Sequence, residues 1–225
     1  MPRNVIAIFG GTFDPPHLGH REAVIALFKN PGVEGVRVLP SGNPVLKTAQ
    51  TAAEHRLAMT KLNFSSLPDG LSSRVKIDDL ELKRSQESPS YTFETLLELR
   101  KEGMPLAFVL GVDQVESLDR WHRFPEVLGL CDWIALERQP DGAERMGRAI
   151  QRLVALGALA TTQDPRVFTT TSPSGSKTEF KTVATPARAV SSTQIRQGFA
   201  KNAENTADLH PEVRAYLNAH HLYGT

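Results

Sequence analysis

Two histidines three residues apart, His17 and His20, follow a glycine pair and a proline pair in Val5-Ile-Ala-Ile-Phe-Gly-Gly-Thr-Phe-Asp-Pro-Pro-His-Leu-Gly-His20. Imidazoles donate hydrogen bonds to phosphoryl oxygens and carry charge near neutral pH. One helical turn apart, the two rings can face the same side. Far down the chain, Val190-Ser-Ser-Thr-Gln-Ile-Arg-Gln-Gly198 offers a second anion-binding set. Ser191 or Ser192 suits a helix cap there, and Arg196 shares a face with Ser192 and Thr193. A guanidinium can grip two phosphate oxygens at once. Lys47 ends Pro40-Ser-Gly-Asn-Pro-Val-Leu-Lys47, a loop by its Gly, Asn and Pro content, and adds a point charge. This chemistry is the binding and neutralisation of phosphates. No Gly-Lys-Ser/Thr follows the glycines, so this is not a Walker loop, and the G-x-G-x-x-G fingerprint is missing too. A zinc site would need three or four ligands, which no Cys or His cluster supplies.

The elements around these residues place them. Val5 to Phe9 is a continuous apolar run, which suits a strand buried on both faces of a parallel sheet. Gly10 and Gly11 are expected to end it and to let the backbone approach a ligand. Pro15 and Pro16 stiffen the turn. From Leu18 the apolar spacing becomes helical, through Val24, Leu27 and Phe28. Both histidines then sit where a helix begins, at the carboxyl end of a strand, where open α/β sheets bind ligands and helix N-termini accept phosphate.

Further elements follow the same alternation. Gly35–Pro40 reads as a strand, and 52–64 as an amphipathic helix on which Arg56 is a structural or surface residue. Val75–Leu82 is strand-like. Ser90 or Thr92 suits the cap of a helix through Glu102. Leu106–Leu110 is a buried strand, and Asp113 just beyond it could bond a ribose hydroxyl, attract hydrated magnesium, or simply close a turn. Trp121, among the charges of Asp119-Arg-Trp-His-Arg123, could stack on a flat aromatic ring or pack beneath the loop. Trp133 and Cys131 read as core, in a strand from Cys131 to Leu136. Arg138 follows that strand and could meet a phosphate. Residues 143–156 are helical by spacing, 169–178 read as an exposed loop, Phe180–Thr185 as a last strand, and Pro211–Asn218 as a closing helix.

The 225 residues allow one domain of ordinary core size. With 40% hydrophobic and 23% charged residues the chain reads as soluble and globular. A net charge of +1 makes no electrostatic case for nucleic acid or a membrane surface. A single cysteine excludes an internal disulfide. No stretch approaches ~18 apolar residues, so a cytoplasmic protein is the expectation. The sequence leaves a homo-oligomer open.

Gly10-Gly-Thr-Phe-Asp-Pro-Pro-His-Leu-Gly-His20 resembles the signature of the HxGH nucleotidyltransferase superfamily, and most of all the bacterial nicotinate-nucleotide adenylyltransferases. Phosphopantetheine adenylyltransferases are similar but usually carry Thr at the place of His17. Pro89-Ser-Tyr-Thr92, Trp121 and the Ser-Thr-x-Ile-Arg segment ending at Arg196 resemble that family as well. Val45 and Leu46 depart from it, since they stand where its second Pro and His would be.

The resemblance implies a doubly wound, mostly parallel, Rossmann-like α/β fold. It would form a single nucleotidyltransferase domain over 1–225, with a core over about 1–185 and a C-terminal helical portion over 186–225. It implies AMP transfer from ATP to nicotinate mononucleotide in NAD biosynthesis, with Mg²⁺ accompanying ATP. His17, His20, Lys47 and Arg196 would be catalytic. Gly10, Gly11, Thr12, Phe13, Asp113, Arg138, Ser192 and Thr193 would bind ATP. Tyr91, Thr92, Trp121 and His122 would border the mononucleotide. Nicotinamide mononucleotide or phosphopantetheine as acceptor, and a nucleotide-binding regulator without catalysis, remain as alternatives. A class I tRNA synthetase shares a related histidine motif, but this chain is short and lacks a Lys-Met-Ser-Lys-Ser segment.

Overall fold

A computed structural model describes residues 4–43, 49–68, 70–84, 89–138, 142–185, 188, 190–200 and 207–224, with the side chains of Arg138 and Ala200 excepted. The strands are β1 (Val5–Gly11), β2 (Val33–Pro40), β3 (Val75–Ile77), β4 (Leu106–Gly111), β5 (Asp132–Arg138), β6 (Leu159–Thr161), β7 (Val167–Thr170) and β8 (Glu179–Thr185). The helices are α1 (Leu18–Leu27), α2 (Ala53–Asn63), α3 (Leu80–Lys83), α4 (Thr92–Arg100), α5 (Val112–Val115), α6 (Gly142–Ala155), α7 (Ser192–Ala200) and α8 (Pro211–Ala219). The strands form one sheet in the order β3-β2-β1-β4-β5-β8-β7-β6. All pairings from β3 across to β8 are parallel, and β7 and β6 extend the sheet antiparallel. The chain winds outward from β1 to β3, then returns to β4 on the other side of β1. The switch point therefore lies between β1 and β4, where a doubly wound sheet opens a crevice at its carboxyl edge.

The apolar runs are explained by burial on both faces. Ile8, Leu39, Phe108, Leu110, Trp133 and Phe180 point to one side, against Leu96 and Leu99 of α4 and Met146, Ile150 and Leu153 of α6. Ala7, Phe9, Val36, Val38, Val109, Ile134 and Leu136 point to the other, against Val24 and Leu27 of α1. Val24 and Leu27 are fully buried, and each such side chain contributes about 1.5–3 kcal/mol of transfer free energy. A third cluster joins Met59 of α2 to Val190, Ile195, Leu209, Val213 and Leu217, and this docks the C-terminal helices beside the start of α1. Leu18 N–H donates to the Asp208 carbonyl at 2.8 Å, and Arg188 bridges Glu22 and Asp208 at 2.8 Å each. Cys131 is buried, and desolvation pushes its thiol pKa upward, as suits a small core residue. No helix among the described residues is long and apolar enough to cross a membrane.

Several expected boundaries shift. The first strand does not stop before the glycines: Gly10 and Gly11 continue β1 and pair with Leu39 and Pro40. Strand structure ends at Ile77 rather than Leu82, because the Asp78 carboxylate accepts the Leu80 N–H at 3.0 Å and turns the chain into α3. The Thr-rich stretch expected as an exposed loop over 169–178 begins inside β7, with Thr170 and Ser172 buried.

Candidate active site

At the switch point a cleft of ≈ 480 Å³ opens between the ends of β1 and β4. Gly10, Gly11 and Thr12 form its floor, with Phe108, Asp113 and Gln114 on the β4 side. Tyr91, Thr92, Trp121 and His122 close the far end, together with Glu81, Ser90, Ser117 and Arg120. A larger hollow of ≈ 650 Å³ lies at the opposite end of the strands, beside Val5, Asp132 and Lys181, and neither its lining nor that of the cleft includes His17, His20, Ser192, Thr193 or Arg196.

The turn after β1 is shaped by its aromatic packing. Phe13 has φ 51°, and its ring is buried against Phe9 at 5.9 Å and His20 at 5.0 Å. A Cβ on Gly11 would meet that ring at 2.9 Å, so glycine is required there. The Phe13 side chain therefore belongs to the core, and Phe13 is not among the residues that line the cleft. His17 is the N-cap of α1, and the two imidazoles stack with centroids 3.7 Å apart. His20 Nδ1 accepts the His17 backbone N–H at 3.1 Å, which puts the proton of the neutral ring on Nε2. A Cβ on Gly19 would lie 3.1 Å from His17 Nδ1 and 3.0 Å from Val190 Cγ1, so a larger residue would press on both the stacked pair and the segment leading into α7. The N-terminus of α1 adds the positive end of its dipole beside the rings.

The second anion-binding segment meets this turn. Ser191 caps α7, its Oγ accepting the Gln194 N–H at 3.2 Å. Ser192 Oγ donates to the Pro15 carbonyl at 2.8 Å, and Arg196 Nη1 to the Asp14 carbonyl at 2.5 Å. Arg196 Nη2 reaches Thr193 Oγ1 at 3.4 Å, and Arg196 Nε is buried with no hydrogen-bond partner among the described residues. Residues about 180 positions apart, 14 and 196, thus share one loop. The segment carrying Ser192, Thr193 and Arg196 thus meets the turn that leads into His17 and His20.

The far end of the cleft is aromatic. Tyr91 and His122 stack at 4.2 Å, and His122 Nε2 lies 3.5 Å from a Glu94 carboxylate oxygen. Trp121 meets Phe108 edge-on at 6.1 Å and Trp133 at 6.4 Å, so one indole both lines the cleft and packs on the core. The helix beyond Tyr91 starts at Thr92, with Tyr91 as N-cap and no side-chain cap among the described residues. Neither Ser90 nor Thr92 caps it. The Ser90 hydroxyl accepts the Asn43 N–H at 2.9 Å instead, and Ser90 N–H returns a bond to the Asn43 carbonyl at 2.9 Å. The uncapped N–H groups suit an anionic group on a ligand.

The acidic residues of the cleft have partners. Asp113 accepts from Arg145 at 2.5 Å, and Glu116 binds the same guanidinium at 2.6 Å, which raises the Arg145 pKa. Glu81 is held by Thr95 Oγ1 at 2.9 Å, and Thr95 accepts from Arg84 at 2.9 Å. Burial raises the Glu81 carboxyl pKa, and these hydrogen bonds oppose the rise. No group of three or more His, Cys, Asp or Glu among the described residues is placed to hold a metal ion.

Lys47 and the Arg138 side chain lie outside the described residues, as does the Val45-Leu46 departure. Glu81, Ser90, Gln114, Ser117 and Arg120 line the cleft without having been singled out as site residues. Arg120 carried a signal, as a cation next to Trp121 in a polar run. Asp14 and Arg56 carried none, because their partners are remote in sequence.

A family model described as cytidylyltransferase-like matches residues 8–198. A relative from Pseudoalteromonas atlantica, named "Probable nicotinate-nucleotide adenylyltransferase", is 34% identical over 229 residues, covering 98% of this chain and 95% of its own. A Pseudomonas putida relative of the same name is 36% identical over 222 residues, covering 97% and 94%. The solved structure of a Plasmodium falciparum nicotinic acid mononucleotide adenylyltransferase complexed with NaAD is similar with a TM-score of 0.71, covering 98% of both chains. At 17% identity that likeness speaks to the fold.

Proposed function

We propose that this chain, which belongs to the cytidylyltransferase-like family, transfers AMP from ATP to nicotinate mononucleotide, giving nicotinate adenine dinucleotide and pyrophosphate in NAD biosynthesis. The observation that carries the reading is the meeting of the histidine turn and the α7 segment at Asp14–Pro15, beside a cleft whose other end is aromatic. A phosphate oxygen of the mononucleotide attacks the α-phosphorus of ATP in line. One P–O bond forms, the bond to the β-phosphate oxygen breaks, and pyrophosphate leaves with the electron pair. The attacking phosphate is already a nucleophile, so the protein need not form a covalent intermediate. Its work is positioning and charge stabilisation.

His20 Nε2–H donates to the transferring phosphoryl group, and His17 supports it across the stack. Ser192, Thr193 and Arg196 receive the leaving pyrophosphate, with Lys47 as a further cation on the strength of the family motif. Mg²⁺ carried in on ATP would share the phosphate charge. The backbone of Gly10–Thr12 lies against the nucleotide. Trp121 offers a ring face to the pyridine, and the start of α4 offers N–H groups to its carboxylate. With ATP as substrate, the reaction belongs in the cytoplasm.

Pyrophosphate release is measured with ATP and, in parallel, nicotinate mononucleotide, nicotinamide mononucleotide or phosphopantetheine. Fastest turnover on the nicotinate form is expected. Preference for either other acceptor overturns the substrate assignment, and no release with any of the three favours a non-catalytic nucleotide binder.

A further inference from the structure

Asp14 is 2% exposed and sits between β1 and the histidine turn. Its main-chain carbonyl accepts from Arg196. Its carboxylate Oδ2 accepts the Gln50 N–H at 2.7 Å, which fastens the segment leading into α2. The remaining oxygen, Oδ1, accepts from the hydroxyl of Tyr223, two residues from the end of the chain. Thr51 Oγ1 in turn donates to the Tyr223 oxygen at 2.8 Å. To reach this place the tail turns through three positive φ values, 49° at His221, 61° at Tyr223 and 86° at Gly224. Burial raises the Tyr223 hydroxyl pKa and the bond to Asp14 acts in the same sense, so the phenol stays protonated and donating.

We propose that Tyr223 is a positioning residue for the triphosphate end of the site, acting through Asp14 to fix Arg196 and the His17–His20 turn. The inference rests on the proposed adenylyl transfer for its effect on turnover, and on geometry alone for its effect on ATP binding. Without the phenolic donor, one oxygen of a buried carboxylate loses its partner and the loop must shift to recover one. The Asp14 carbonyl moves with it, and the Arg196 guanidinium follows that carbonyl. Sub-ångström misplacement of charge-stabilising groups is felt in the transition state more than in the ground state. Tyr223 is hydrogen-bonded to Asp14 and Thr51, whereas Tyr91 packs on His122 and Trp121 on Phe108 and Trp133, so the aromatic end of the cleft is held by other partners.

The test compares Tyr223→Phe with Tyr216→Phe. Tyr216 belongs to the same C-terminal packing, but its hydroxyl bonds His55 Nδ1 at 2.9 Å, whereas the Asp14 carboxylate is held by Gln50 and Tyr223. Pyrophosphate release gives kcat and both KM values, calorimetry gives the Kd for ATP without acceptor, and thermal melting controls for folding. Tyr223→Phe is expected to lower kcat about 10-fold and weaken ATP about 3-fold, with the KM for the mononucleotide within about 2-fold. Tyr216→Phe is expected to change melting only. Equal kinetics for the two variants, or an unchanged kcat and ATP Kd in Tyr223→Phe, overturns the proposal. Thr51→Val, which removes the donor to the phenol, should give a weaker effect in the same direction and replaces Tyr223→Phe should that variant not fold. If the wild type fails to turn over nicotinate mononucleotide while Tyr223→Phe still weakens ATP, the reaction assignment fails and the positioning role stands.

Discussion

Arg56 is 2% exposed, and its guanidinium is spent entirely on main-chain carbonyls. Nη1 donates to Thr12 O at 3.0 Å and Ser41 O at 2.6 Å, Nη2 to Gly42 O at 3.1 Å, and Nε to Thr51 O at 3.2 Å. One side chain on α2 thus ties the loop after β1 to the loop after β2 and to its own N-terminal approach. Burial lowers its pKa, and the nearby Asp14 carboxylate pulls it back up. Arg56→Met removes the charge and leaves four carbonyls in need of donors. A buried unsatisfied group costs about 1–3 kcal/mol. Water reaches some of the carbonyls, so the loss is expected near about 4 kcal/mol rather than the sum. For a chain of this length that corresponds to a melting point lower by about 10–15 °C. Urea unfolding followed by circular dichroism gives the free energy, and calorimetry the melting point. Arg56→Lys keeps a charge but has three donors on a flexible stem, and should recover less than half of the loss. A loss under about 1 kcal/mol in Arg56→Met would refute the reasoning, because it would mean that the four carbonyls find partners at no cost.

Three further outcomes follow from the site. His20→Ala should lower kcat by about 10²–10³ with the ATP Kd little changed, by analogy with the loss of one oxyanion donor; near-normal turnover in a folded variant removes its role. Trp121→Ala should raise the KM for the mononucleotide more than it lowers kcat, and an unchanged KM with a lowered melting point would make the indole a core residue only. Gly19→Ala places a methyl 3.0–3.1 Å from Val190 and the His17 ring, and should cut kcat about 10-fold or more through the displaced stack. Full activity in Gly19→Ala would show that the pair tolerates movement.

The parallel core was legible because strands buried on both faces have no polar alternation to confuse them: Val5–Phe9 and Leu106–Leu110 read directly as β1 and β4. Local signals failed where a distant partner decides. Gly10 and Gly11 look like a stop, yet pairing with β2 holds them in the sheet, and the glycine is needed for the Phe13 ring. β6 and β7 were missed because Leu159–Thr161 and Val167–Thr170 are short, and β7 carries two threonines where a core strand would carry aliphatics. The two candidate phosphate segments stand out in the sequence by residue type and spacing. What holds them was not: Asp14 with Tyr223, and Arg56 with Thr12, Ser41 and Gly42, are pairings across many residues with no motif of their own.

The proposed reaction requires a nearly neutral chain to hold two anionic substrates. A net charge of +1 supplies no long-range attraction, so selectivity must be local. The carboxylates in and beside the cleft are each engaged: Asp113 by Arg145, Glu81 by Thr95, Asp14 by Gln50 and Tyr223. Their negative charge is thereby held in fixed directions and answered by donors. The N-termini of α1, α4 and α7 contribute positive dipole ends around the same edge of the sheet, each within about half a charge. An acceptor bearing both a phosphate and a ring carboxylate would meet a donor-rich surface at both of its ends, whereas an amide in place of the carboxylate would lose the charge-assisted bonds at the start of α4. If that accounting is right, the preference for the acid over the amide should fall as salt rises, and by less than for an exposed ion pair because the cleft is partly desolvated. A preference that is independent of ionic strength, or absent at low salt, would place the discrimination in the shape of the aromatic end instead.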